Sequence, residues 1–164
     1  MTMDIFSGTL EVEDVARTLK SVNAIGKETK STIVLLDAAK IAGKEHIESA
    51  VLHAKRSFAD GKNIARTLSM EILVYASGQR QCALAPRFGL HEGKNAVYVL
   101  ILDGDVKTAK DKVKNIVTES AEISADMKTL MQEFDISEEE LSIVGMSRIS
   151  ELVMERVAML DAWR

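Results

Sequence analysis

Residues 68–90, LSMEILVYASGQRQCALAPRFGL, decide how the rest of the chain is read. Residues 70–76 form an almost unbroken apolar and aromatic run, short enough for a buried strand. Ser77 and Gly78 interrupt it, and beyond Gln79, Arg80 and Gln81 the apolar residues Cys82, Leu84, Ala85 and Phe88 recur at helical spacing. The predicted order is strand, turn, helix. Such a unit leaves the carboxyl end of the strand and the amino end of the helix facing solvent together. Open α/β sheets bind ligands at that edge, where first-turn N–H groups attract anions. Arg80 stands there as the candidate recognition residue. Pro86 kinks or truncates the following helix between residues 82 and 85, which leaves the placement of Arg87 and Phe88 open.

Outward from this stretch, residues 4–10 and 31–36 read as strands, with Gly8 as a candidate bulge. Residues 11–26 form a helix with acids in its first turn. Residues 44–60 form a second, amphipathic one, with Ile47, Ala50, Val51, Ala54 and Phe58 inward and Gly61 as its stop. A short helical turn at 63–68 is expected to bring Lys62 and Arg66 close to Arg80. After Gly89 the apolar run 95–102 is a fourth strand. Helices follow at 106–121, 124–134, 137–144 and 147–163, the third opened by a Ser137–Glu140 capping box. Alternating strands and helices followed by a helical tail predict an α/β fold. We expect a single domain over residues 1–164, with a roughly four-stranded mixed sheet, flanking helices and a helical carboxyl-terminal part.

Composition fits that reading. The 164 residues are 46% hydrophobic and 28% charged with one proline, the profile of a compact soluble domain large enough for a real core. No apolar run approaches the roughly 20 residues of a membrane helix, and no signal peptide is expected. The single cysteine, Cys82, excludes an internal disulfide, fits a reducing cytoplasm and reads as a packed thiol. Net charge is −4, but residues 40–94 carry nine Lys and Arg against five Asp and Glu, whereas residues 118–164 carry four against eleven. A basic face around the central edge and an acidic carboxyl-terminal face are therefore expected. With 4% aromatic residues and an acidic total, nucleic-acid affinity of the isolated chain should be modest.

Motifs of catalysis are missing. His46, His53 and His91 fall on no metal-ligand spacing and are expected at the surface. There is no phosphate-cradling glycine loop, dinucleotide fingerprint or zinc-protease pair. Ser77 lacks the leading glycine of a nucleophile elbow. Glu71 is expected to pair with an arginine of the preceding turn, such as Arg66. Lys107, Lys110, Lys112 and Lys114 form a solvated face. The expectation is a non-enzyme with no cofactor and no metal.

Two stretches in series carry a family resemblance: residues 58–68, FADGKNIARTL, and residues 71–81, EILVYASGQRQ. They resemble the small regulatory, kinase-binding subunit of the KEOPS complex, the TPRKB-like family, in its archaeal wording. The specific likeness covers about residues 50–90. It implies a cytoplasmic, non-catalytic subunit that binds and stimulates the complex's small atypical kinase/ATPase. It also implies contact with the CCA 3′ end of tRNA during threonylcarbamoyladenosine modification. Carried onto this chain, the tRNA-binding residues would be Lys62, Asn63, Arg66, Gln79, Arg80, Gln81 and Arg87. The alternatives are a small-molecule enzyme or sensor with an anion pocket at the same edge, or an adaptor touching protein only.

The last helix offers the other candidate surface. Ile149, Leu152, Val153, Val157, Met159, Leu160 and Trp163 cover more arc than one buried face needs, and Arg156 falls inside that arc. Either the helix packs wholly on its own domain, or part of it is free in the monomer for the kinase. Leu152, Arg156, Met159 and Trp163 are the candidates for the second case.

Overall fold

The computed structural model describes residues 1–78 and 82–162, and of Cys82, Ala83 and Leu84 only the backbone. The fold is α/β, with a four-stranded open sheet and a helical carboxyl-terminal part, and the chain divides into two compact units.

The first unit, residues 1–38 and 89–123, holds the sheet. Strand β1 (Met3–Val12) pairs along its whole length with β3 (Gly93–Leu102), and β3 takes β2 (Thr32–Asp37) on its other side. A two-residue β4 (Thr118–Glu119) closes the order as β2-β3-β1-β4. Every pairing is antiparallel, so the sheet is not mixed as expected. Helices α1 (Val15–Thr29) and α4 (Val106–Val113) contribute to its core. Side chains alternate across a strand. Phe6, Val12, Ile33, Leu35, Val97, Val99 and Ile101 therefore share one face, and they pack with Val22 of α1 and with Ala109 and Val113 of α4. The other face of β2 and β3 is buried as well, through Val34, Leu36, Tyr98, Leu100 and Leu102.

Gly8 marks no bulge, because the β1–β3 register runs through it unbroken. It lets β4 approach instead: a Cβ at Gly8 would meet the Thr118 carbonyl oxygen at 2.7 Å and the Val117 side chain. The helix expected over 106–121 accordingly stops at Val113, and the chain runs back onto the sheet edge.

The second unit, residues 39–88 and 124–164, is helical in its described part. It contains α2 (Lys44–Ala59), α3 (Leu68–Ser77), α5 (Met127–Glu133), α6 (Glu138–Val144) and α7 (Ile149–Ala162). The expected central strand at 70–76 is helix α3. Periodicity cannot decide a short run that is apolar throughout, and here the ends decide it. Thr67 caps the start by accepting the Met70 N–H at 3.3 Å. Gly78 ends it in the left-handed conformation, φ 65°, with its N–H on the Tyr75 carbonyl. Glu71, Ile72, Val74, Tyr75, Ala76 and Ser77 are all buried, as befits a helix surrounded by protein. Past residues 79–81, a 3-10 helix over Cys82–Phe88 contains Pro86, so no α-helix continues there.

Candidate functional site

The loop of residues 60–67 is built on one buried acid. Glu71, in the first turn of α3, is completely buried. Its carboxylate accepts the Ile64 N–H at 3.0 and 3.1 Å, the Ala65 N–H at 2.8 Å and the Ser57 hydroxyl at 2.6 Å. The Asn63 amide donates to the Ala65 carbonyl at 2.8 Å and tightens the same bend. The loop is thus held from inside by α2 and α3, and Lys62, Asn63 and Arg66 stand on its exposed side. The expectation that Glu71 pairs with an arginine such as Arg66 is replaced by these backbone contacts. An acid set inside an apolar run was the sequence signal for such an anchor.

The other expected tRNA-contacting residues lie apart from this loop or outside the described residues. Helix α3 rises about 15 Å over its ten residues, so the loop before it and the Gly78 turn after it stand at opposite ends. The convergence expected at a strand's carboxyl end has no strand to build it. Gln79, Arg80 and Gln81 lie outside the described residues. Arg87 is exposed but engaged: its guanidinium donates to both Glu133 carboxylate oxygens at 3.0 and 3.1 Å. Lys40 donates to the Arg87 carbonyl at 2.7 Å and approaches Glu133 at 3.7 Å. Three of the four lysines at α4 and its carboxyl end are paired in the same way, Lys110 with Asp4 at 3.0 Å, Lys114 with Glu119 at 2.8 Å, and Lys112 with Glu28, while Lys107 is exposed.

Helix α7 is less free than its arc suggested. Leu152, expected on the open part, is buried at 6% exposure beside Val153, Val157 and Leu160. Arg156 forks onto Glu140 at 2.6 and 3.0 Å and donates to the carbonyls of Phe134 and Asp135, both at 3.2 Å. That fork holds the Glu140 carboxyl below the usual carboxylate range. An arginine within the apolar arc is thus satisfied by its own chain, not left for a partner's rim. Met159 is 38% exposed, and Trp163 lies outside the described residues.

Two of the three histidines are not the surface residues expected. His46 is buried, and its Nδ1 accepts the Ala42 N–H at 3.0 Å. That assignment puts the proton on Nε2, which donates to the Ala76 carbonyl at 2.8 Å. Burial lowers its pKa to about 4, only partly opposed by the Ala76 hydrogen bond. His53, half-buried, meets Asp161 of α7 at 2.6 Å, and the Tyr75 hydroxyl donates to the other oxygen of that carboxylate at 2.5 Å. The His53 and Tyr75 rings stack at 5.4 Å. This ties α2, α3 and α7 together. Among the described residues no group of three or more His, Cys, Asp or Glu is gathered to hold a metal. No described helix is long and apolar enough to cross a membrane.

Comparison with known proteins adds a family to this geometry. Residues 11–161 match the family described as kinase binding protein CGI-121. The regulatory protein Cgi121 of the archaeon Methanocaldococcus jannaschii is 30% identical over 132 residues, covering 77% of this chain and 81% of the relative. A match over nearly the whole sheet unit and helical unit agrees with the likeness read from residues 58–68 and 71–81, and the chain belongs to the CGI-121 kinase-binding family.

Proposed function

We propose that the chain is the non-catalytic regulatory subunit of a KEOPS-type complex in the archaeal cytoplasm. It binds and stimulates the small atypical kinase/ATPase and binds the CCA 3′ end of tRNA, supporting threonylcarbamoyladenosine modification. Family membership and the regulatory relative support the kinase half. The observation that carries the RNA half is the loop of residues 60–67. Its backbone is fixed from inside by Glu71, with Lys62, Asn63 and Arg66 on its exposed side. Cations on a pre-set backbone meet a phosphate chain with little ordering cost. Arg80, with Gln79 and Gln81, extends that contact in this reading, and Arg87 joins it only by leaving Glu133.

Titration with tRNA, intact and trimmed of its CCA end, tests the RNA half. Arg66→Glu should weaken binding and flatten its salt dependence by about one unit, as the loss of one phosphate contact requires. Equal affinity of the wild type for intact and trimmed tRNA would remove the CCA assignment. Neutralisation of Lys110, Lys112 and Lys114 within the chain favours a second reading, an adaptor that touches protein only. Absence of any tRNA binding alongside full kinase stimulation would select it. ATP hydrolysis by the isolated chain, abolished by a single substitution, would overturn the non-catalytic assignment in both readings.

A further inference from the structure

The corner between α6 and α7 combines rigidity with exposed apolar side chains. Ile143 is 79% and Met146 65% exposed, and they lie three residues apart across Gly145. A helix of seven residues has little stability of its own, so something else must hold this corner. Three contacts do. The Ser137 hydroxyl caps α6 by accepting the Glu140 N–H at 3.0 Å, Leu141 is buried, and the Arg156 fork clamps Glu140. Ile143 lies about 200° around the helix from Leu141 and so points away from the packed side. Glu139, exposed and one turn before Ile143, lies on the same outward face. Glu138 is exposed beside it.

Those carboxylates disfavour RNA and an anionic membrane as occupants, and Arg148 beside Met146 does not offset them because it pairs with Glu151. What fits is a protein surface with an apolar pocket and a basic side chain about one helical turn away. Resting on the kinase-binding reading, we infer that Ile143 and Met146 form the knob that docks the kinase/ATPase, with Glu139 facing a Lys or Arg of its surface. The clamp by Arg156 then acquires a role. It pre-organises the knob, so docking orders little that was loose before.

The test is calorimetric binding of the full-length chain to the purified kinase/ATPase at low and high salt. Ile143→Glu and Met146→Glu should each weaken binding by about thirtyfold, the loss of one interface anchor. Ile143→Ser guards against a folding effect of the added charge, and the melting temperature of each variant should match the wild type because both side chains are exposed. Glu139→Lys should weaken binding mainly at low salt. Failure of the wild type to bind removes the kinase reading and this inference with it. Wild-type binding that survives in all three apolar variants, or is lost only with Met159→Glu, removes the inference alone. So does a homodimer of the wild type that Ile143→Glu dissolves, since the knob would then serve a second copy.

Discussion

Helix α3 and strand β3 are both written in nearly continuous apolar sequence, EILVYAS at residues 71–77 and AVYVLIL at residues 96–102. They are stabilised by different means. Strand β3 lies between β1 and β2, so its backbone groups are satisfied by its neighbours in the ladder. It needs no titratable partner for that. Helix α3 satisfies its own interior but leaves loose ends, and it meets them with ionisable side chains. Glu71 ties down the loop that enters it, and His46 donates to the carbonyl of Ala76 near its exit. Of these two ties the His46 one is acid-sensitive, because burial lowers the pKa of that imidazole to about 4.

The strongest way to break that contrast is Glu71→Ala. It strands the Ile64 and Ala65 N–H groups, and each orphaned group costs about 1–3 kcal/mol. We expect a loss of about 3 kcal/mol or more in denaturant unfolding. Amide exchange at Ile64 and Ala65 should accelerate while that at residues 97–101 of β3 changes far less. Exchange that rises equally in both segments would mean that Glu71 supports the whole chain and not the α3 frame.

Acid comes next. The pKa of His46 is near 4 when folded and 6.5 when unfolded, so the unfolded chain binds the extra proton between those values. The stabilisation is complete above pH 6.5 and falls away as pH drops through 4. At pH 5 the expected loss is about 2 kcal/mol, from 1.36 kcal/mol per pH unit. His46→Gln, which retains a donor for the Ala76 carbonyl, should flatten stability between pH 4 and 6.5. A slope unchanged by that substitution would assign the acid sensitivity to other groups.

This division also explains what could be read from residues alone. The sheet strands 4–10, 31–36 and 95–102 were legible because β-branched, apolar runs are bounded by turn residues, and α2 because one stripe of it is apolar. Residues 70–76 misled because an all-apolar helix has no period to display. Thr67 before the run, Gly78 after it and an acid inside it were the signals that a helix, not a strand, was being closed. The two-residue β4 was illegible, since a strand that short is set by the room Gly8 leaves for it. For the site, Lys62, Asn63 and Arg66 stand on an exposed loop where a short helical turn over 63–68 was expected. Their anchor was signalled only in part: the acid inside an apolar run marks a buried partner for Glu71, but residue type does not say that the partner is the backbone N–H of Ile64 and Ala65 and not an arginine. The pairing of Arg156 with Glu140 was equally hidden, as the two lie 16 positions apart across a helix break.

The smallest effect sharpens the contrast from the strand's side. Tyr98 of β3 is buried, and its hydroxyl donates to the Ile123 carbonyl at 3.0 Å. Burial raises its pKa above the ordinary 10.0, and the charge of Glu122 raises it further. A folded pKa above the unfolded one means that stability is intact below pH 10 and declines as pH climbs through the folded value. The strand's titratable weakness is thus alkaline where that of the helix is acid. Tyr98→Phe removes one hydrogen bond, about 1 kcal/mol at neutral pH, and leaves a carbonyl that the ring no longer meets. The same substitution should erase the alkaline decline in amide protection at residues 97–101 and leave the acid decline around Ala76 untouched. If Tyr98→Phe instead alters the acid limb, the strand and the helix share one titrating network, and the separation drawn between them fails.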